Sequence, residues 1–208
     1  GLDMPAEANP FLGWRGIRLA LDRPDEVFLP QLRAILRAAV TADMRLMFPM
    51  ITTPQEVTQA QALIERAMAD LTQSHKPARR VPIGIMVETP AAALTLDQFR
   101  GIIDFASIGT NDLVQYTYAV DRSNPQVQKR AQPLGLATLR LIEQICNSGI
   151  SISVCGQMAS DLAAIPLLVG LGVRTLSVAA AAVPSVKQIL DSYTLPQMRR
   201  MAALALDG

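Results

Sequence analysis

The chain has 208 residues, half of them hydrophobic and only 4% aromatic, with a formal net charge of +1. That is enough apolar material for one good core in one globular unit, and the near-zero charge argues against an electrostatic surface for nucleic acid. No apolar run approaches the length needed to cross a bilayer, so the expectation is a cytoplasmic protein with no membrane insertion.

Taken in chain order, residues 24–40 place Val27, Leu29, Leu32, Ile35 and Leu36 at helical spacing with Arg33 and Arg37 on another face, which predicts an amphipathic helix. The short apolar run 45–50 reads as a first strand. Thr53-Pro54-Gln55-Glu56 then supplies the N-cap residue, first-turn proline and acidic partner of a capping box, so a helix follows to about residue 73. A second strand is expected over 81–88, a short helix over 91–99, a third strand over 102–108 and a helical stretch over 113–120. Beyond the polar segment at Ser123-Asn124-Pro125, a helix is expected over 134–148 and a fourth strand over 151–155. A helix over 162–171 stops at Gly172, a fifth strand covers 175–178, and helices near 184–190 and 196–206 finish the chain. Continuous apolar strands alternating with helices indicate a parallel sheet covered by helices. Periodicity alone does not separate a doubly wound sheet from a barrel; it counts about five strands, where an eight-stranded barrel needs three more.

Three of these strands end on polar groups. The run Ile83 to Val87 ends on Glu88, the run Ile152 to Val154 on Cys155, and Phe105-Ala106-Ser107-Ile108 breaks on Gly109-Thr110-Asn111-Asp112. A small-residue turn with a carboxylate at a strand exit suits a metal or phosphate site at the mouth of an α/β fold. Thr, Asn and Asp are equally good N-cap residues, so taken alone this turn reads as a helix start; three polar strand ends together read as one site. Cys146 follows the helical run 139–145 and reads as a buried structural thiol. Two cysteines are too few for a disulfide framework, and His75 stands in a loop without partners for a zinc site. Arg18, Arg33 and Arg37 read as surface salt-bridge residues.

The wording of several segments carries a resemblance. Asn9-Pro10-Phe11-Leu12-Gly13-Trp14-Arg15-Gly16-Ile17-Arg18, Met47-Phe48-Pro49-Met50, Gly84 to Ala93, Ser107 to Gln115, Ala119-Val120-Asp121-Arg122 and Cys155-Gly156 are similar, in order, to the C-terminal barrel of enzyme I. That family comprises the phosphoenolpyruvate-protein phosphotransferases of the bacterial sugar phosphotransferase system. The dikinase and synthase that also use phosphoenolpyruvate share the Gly-Thr-Asn-Asp and Cys-Gly elements, but Val-Glu-Thr-Pro-Ala-Ala-Ala and Ala-Val-Asp-Arg are closer to enzyme I. The resemblance implies the C-terminal part, about five βα units, of a TIM-type (β/α)8 barrel spanning residues 1–208. It implies transfer of a phosphoryl group from phosphoenolpyruvate to a histidine, with release of pyruvate.

By the same resemblance, Glu88 and Asp112 match ligands of Mg2+, with Mn2+ as the alternative ion, and two carboxylates suit a cation that takes its other ligands from water and substrate. Arg15 and Arg122 match substrate-gripping arginines and Asn111 a polar contact beside them; a guanidinium binds phosphate or carboxylate oxygens in pairs and keeps its charge. Cys155 matches the general acid that protonates the enolate carbon. The implied partners are a histidine-containing phosphocarrier protein, reached through an N-terminal domain, and a second copy in a homodimer.

Some positions depart from the family wording. Gln157 and Ser160 replace Glu and Gly, removing a carboxylate beside the thiol, residues 127–136 lack a His, Tyr and Ser-Pro pattern, and Val178-Ala179-Ala180-Ala181 replaces a more polar turn. They point to a divergent relative, such as the last module of a multiphosphoryl-transfer polyprotein. Two further arginines, the first barrel strands and the acceptor-histidine domain are expected to precede this segment, so the isolated chain is expected to be inactive. The alternatives are a non-catalytic dimerisation or regulatory module, or another magnesium-enolate barrel (dikinase, synthase or lyase), of which a lyase would need neither the thiol nor the phosphate arginines.

Overall fold

Five short strands, β1 (Leu46–Phe48), β2 (Ile83–Val87), β3 (Phe105–Gly109), β4 (Ile152–Cys155) and β5 (Thr175–Leu176), form one sheet in the computed structural model. The structure describes residues 4–207, so four residues of the expected 1–208 unit, 1–3 and 208, lie outside it. All pairings are parallel and the order is β1-β2-β3-β4-β5. A doubly wound sheet reverses its order at a switch point. Here each strand lies beside its predecessor, as in the wall of a (β/α)8 barrel, and the expectation of about five βα units of such a barrel holds.

The pairing register sorts the strand residues onto two faces. Phe48 with Ile85, Ile85 with Ala106, and Val87 with Ile108 and Val154 share one face, and all are buried. This face packs under the helices and supplies the apolar half of the core. The other face alternates with it: Gly84, Met86, Phe105, Ser107, Gly109, Ser153 and Cys155. Its small and polar members leave room at the strand ends, and Glu88 continues it by one step of two beyond Met86.

The helices are α1 (Ile17–Asp22), α2 (Leu29–Ala38), α3 (Pro54–Gln73), α4 (Pro90–Leu94), α5 (Thr110–Thr117), α6 (Leu136–Cys146), α7 (Ala164–Leu171), α8 (Val183–Asp191) and α9 (Leu195–Asp207). The α3 start has the expected reciprocal capping box between Thr53 and Glu56, whose Oε2 accepts the Thr53 backbone N–H at 2.9 Å. No helix among the described residues is long and apolar enough to cross a membrane.

Three expectations need correction. The 24–40 helix opens as a π-helical turn, Pro24–Phe28, before α2 begins. Helix α1 was not expected: its six residues have no capping side chain, and it is held by tertiary contact, with Ile17 buried and its N–H donated to the Pro49 carbonyl at 3.3 Å. Arg33 does pair with Asp70, but Arg18 is no salt-bridge residue; its Nη1 donates to the carbonyls of Leu12 at 2.8 Å and Gly13 at 3.2 Å, stapling its own loop.

Candidate functional site

Glu88 directly follows β2, Cys155 ends β4, and Asp112 lies in the first turn of α5, which leaves β3 without a loop. All three therefore stand at the carboxyl ends of adjacent parallel strands, where a barrel collects its functional groups. Gly109, paired with Cys155, makes their approach feasible. A Cβ there would lie 2.9 Å from Met86 Sδ and 3.0 Å from Glu88 Oε2, so both side chains lean across a position that must have no side chain. Cys155 Sγ in turn reaches Met86 Sδ at 3.6 Å and the Ile108 carbonyl at 3.4 Å.

The Gly109-Thr110-Asn111-Asp112 turn is a helix start, yet none of its polar side chains caps the helix. Thr110 Oγ1 donates to the Cys155 carbonyl at 2.9 Å, and Asn111 Oδ1 accepts the Gln157 N–H at 3.1 Å. Both reach sideways to the loop after β4. Gly156 sits between them with φ of +89°, and a Cβ there would also fall within 3.1 Å of Asn111 Oδ1; conformation and space both demand glycine. Asn111 is thus engaged through its oxygen in holding the thiol loop.

Glu88 and Asp112 are buried to 6% and 8% exposure. Glu88 Oε1 accepts the Met50 N–H at 2.7 Å, and Met50 itself has a left-handed φ of 60°, an uncommon conformation for a non-glycine residue at the exit of β1. Burial pushes the Glu88 carboxyl above its ordinary range; the Met50 N–H opposes this, while the neighbouring Asp112 charge adds to it and the Arg15 charge offsets part of it. Among the described residues, Asp112 Oδ1 is the one buried side-chain polar atom without a hydrogen-bond partner. Arg122 Nη1 stands 3.3 Å from Oδ1 without hydrogen-bond alignment, and Arg15 Nη2 stands 3.8 Å from Oδ2.

These donors can be tested against a divalent cation. Two buried carboxylates, one with an unsatisfied oxygen, suit a magnesium-type ion that needs only one or two protein acids and keeps water or substrate oxygens for the rest. No group of three or more His, Cys, Asp or Glu gathers among the described residues, so a site closed entirely by such side chains is not present among them.

The raised Glu88 carboxyl yields a stability prediction for metal-free protein. A carboxyl whose folded pKa exceeds its unfolded one stabilises the fold fully below the unfolded pKa, and that contribution is lost as pH rises through the folded pKa. Near neutral pH the ionised Glu88 therefore costs stability. Glu88→Gln is expected to raise the thermal midpoint of chelator-treated protein at neutral pH, by about 2–4 °C for each ~1 kcal/mol gained. The advantage should disappear at acid pH; unfolding scans across pH check both signs.

The two arginines arrive from different directions. Arg15 comes from the segment before α1 and Arg122 from the turn after α5, and their guanidinium carbons lie 5.6 and 5.2 Å from the centre of the Phe11 ring. On α5, Tyr116 meets the Arg15 guanidinium and Gln115 the Arg122 backbone N–H. Cavities of about 560 Å³ and 440 Å³ flank α5, the first beside Phe11, Met50 and Tyr116 and the second beside Asn111, Arg122 and Gln157. The structure thus gathers Arg15, Glu88, Asp112 and Arg122, with Cys155 on the adjoining strand end and Asn111 in the first turn of α5. Sequence reasoning missed Phe11, Met50, Gln115 and Tyr116. The signal for the last two was available, since they lie three and four residues after Asp112 on a helix and so share its face.

The remaining thiol and imidazole stay outside this cluster. Cys146 ends α6 half-buried, and burial pushes its thiol up to about 11, which keeps it protonated, as a structural role requires. His75 is exposed in the loop after α3.

A family model described as "PEP-utilising enzyme, PEP-binding domain" matches residues 1–195. The phosphoenolpyruvate-protein phosphotransferase of Staphylococcus carnosus (strain TM300) is 44% identical over 210 residues, covering 99% of this chain and 36% of that protein. The protein of the same name from Lactococcus lactis subsp. lactis (strain IL1403) is 41% identical, over 98% of this chain and 36% of its own length. The chain therefore spans a little over a third of these curated relatives. Among solved structures, a citrate lyase from Burkholderia xenovorans LB400 shares the fold with a TM-score of 0.52 and 20% identity, covering 79% of this chain and 54% of that one.

Proposed function

Because this chain belongs to the PEP-utilising enzymes, as their PEP-binding domain, we propose that it forms the phosphoenolpyruvate site of a phosphoenolpyruvate-protein phosphotransferase. In this reading the whole protein passes the phosphoryl group to a histidine and releases pyruvate. The observation that carries it is Asp112: a buried acid with one unsatisfied oxygen, set against Glu88 and faced by two guanidinium groups. A site built for a single anion would not bury two acids, and a site built for a cation alone would not aim two arginines at it. A cation and an anion bound together use all four.

Glu88 and Asp112 would hold Mg2+ or Mn2+. When bound, the ion would offset the charge that builds on the phosphate and enolate oxygens as the P–O bond breaks. Arg15 and Arg122 would grip the phosphate and carboxylate oxygens, and their separate anchoring fixes the substrate from two sides. Once the phosphoryl group has moved to the acceptor nitrogen, the enolate oxygen's electron pair forms the carbonyl. The methylene carbon then takes the Cys155 proton, giving pyruvate and a thiolate that regains its proton before the next turnover. Gly109 and Gly156 would let the thiol and its loop approach this carbon closely. A phosphocarrier partner, a homodimer and a cytoplasmic location accompany this reading, with the acceptor histidine and two further arginines placed elsewhere in the whole protein.

Calorimetric titration of the protein with phosphoenolpyruvate, with and without Mg2+, tests the assignment. Binding is expected to require the cation, and Arg122→Ala should weaken it by at least about 30-fold, since losing one partner of a desolvated charge pair costs ~2–5 kcal/mol. Unchanged affinity in Arg122→Ala would remove the substrate site from this position.

A further inference from the structure

We propose that Gln115 and Tyr116, consecutive on α5, are positioning residues that set the two guanidinium groups in register with the carboxylate pair. This rests on the phosphoenolpyruvate reading of the site and assigns to two residues the job of pre-organising it.

Arginine side chains are long and rotamer-rich, so holding one in a single geometry is costly unless its partners fix it. Arg15 has a half-exposed side chain and Arg122 a more exposed one, at 34% and 40%, and neither has a hydrogen-bonded carboxylate to hold it. What holds them is the C-terminal half of α5. Tyr116 is half-buried, with its hydroxyl donating to the Phe11 carbonyl and accepting from Arg15 Nη1 at 3.4 Å. One hydroxyl therefore ties the arginine to the backbone of the very residue whose ring carries it. Gln115 is buried, and its Oε1 accepts the Arg122 backbone N–H at 3.0 Å while its own carbonyl accepts the Val120 N–H at 3.0 Å. These two bonds close the turn that contains Ala119 at a left-handed φ of 50°, and so determine where Arg122 leaves the backbone.

The geometry is one of helical spacing. Asp112, Gln115 and Tyr116 are i, i+3 and i+4, so one face of α5 presents the acid and the two groups that locate the acid's guanidinium partners. Distances between the charges are then set by a helix rather than by the two loop segments that bear the arginines. Misplacement of a substrate clamp by an ångström suffices to cost binding and rate together.

The test is a double-mutant cycle in the whole protein, read by phosphoenolpyruvate affinity in the presence of Mg2+, with steady-state kinetics and the thermal midpoint measured alongside. Tyr116→Phe and Gln115→Leu are each expected to weaken binding by about tenfold, as for loss of a hydrogen bond that organises a charged group. The Michaelis constant should rise more than turnover falls. In an Arg15→Ala background, Tyr116→Phe should cost nothing further, because the group it positions is gone. Gln115→Glu, which keeps an acceptor oxygen, should recover most of the loss.

A Tyr116→Phe penalty that persists undiminished without Arg15 would show a packing role and overturn the proposal, as would native affinity in both single variants. If Arg15→Ala and Arg122→Ala themselves bind phosphoenolpyruvate normally, the substrate reading fails and takes this inference with it. Loss in those arginine variants alone overturns only the positioning roles.

Discussion

Asp112→Ala is expected to weaken Mn2+ or Mg2+ binding by more than about 100-fold, beyond what loss of an outer-shell partner produces, and phosphoryl transfer should fall with it. The reason lies in the unsatisfied Oδ1. A buried carboxylate oxygen without a donor is unfavourable in the metal-free protein and becomes satisfied only when a ligand reaches it. An alternative role would be structural, with Asp112 serving as counter-ion to Arg15 and Arg122. Both roles predict the same gain for a simple anion and differ in what happens to the cation. If the acid chiefly restrains the guanidinium groups, its removal leaves two uncompensated positive charges, and inorganic phosphate should bind the metal-free variant more tightly than native protein. With a metal ligand role as well, that gain should coexist with loss of the cation. Titration of Mn2+ and of phosphate, each alone, separates the cases, and native cation affinity in both Asp112→Ala and Glu88→Ala would eliminate the metal assignment.

In the whole protein, Cys155→Ser should lower pyruvate formation by about 10²–10⁴-fold, the usual worth of a positioned acid or base, while changing phosphoenolpyruvate affinity little. Serine keeps the shape but is a far weaker acid, so it tests proton delivery rather than packing. The thiol's surroundings make that distinction clean: its contacts are Met86 Sδ and the Ile108 carbonyl, with neither arginine among them. Substrate binding through Arg15 and Arg122 should therefore survive. Proton exchange between solvent deuterium and the pyruvate methyl group gives an independent reading, since it requires the acid but not the forward transfer. Full exchange in Cys155→Ser would end the general-acid role; an equal loss of binding and turnover would point to a disturbed β4 end instead.

What could be read from the sequence follows from what is local. The capping box at Thr53 and Glu56, the strand that leads into Glu88 and the stop at Gly172 each depend on neighbours within a few residues, and each is found in the structure. Tertiary choices were less accessible. Thr110, Asn111 and Asp112 look like capping residues, and the helix does begin there, but their side chains bond across the sheet edge because the β4 loop lies within reach. Helix α1 has no local signal and exists because Ile17 is buried against the β1 exit. Phe11 reads as one more apolar loop residue until the structure brings two arginines onto its ring from positions 4 and 111 residues away in sequence. Barrel against open sheet was likewise beyond periodicity, because both use the same buried parallel strands and differ only in their order.

The bridge from Thr110 and Asn111 to the loop at Gly156 has a consequence for how such a site can change. A side chain at 156 is blocked by the residues at 110 and 111, and those residues spend their hydrogen bonds on 155 and 157. The two stretches, more than forty positions apart in the gene, thus form one unit of inheritance. A substitution in either is tolerated only if the other accommodates it, so a recombination crossover between them would join halves never selected to fit. Shuffled variants that keep both stretches from one parent would retain the site; those that divide them would lose the thiol's placement even with every reactive residue still encoded.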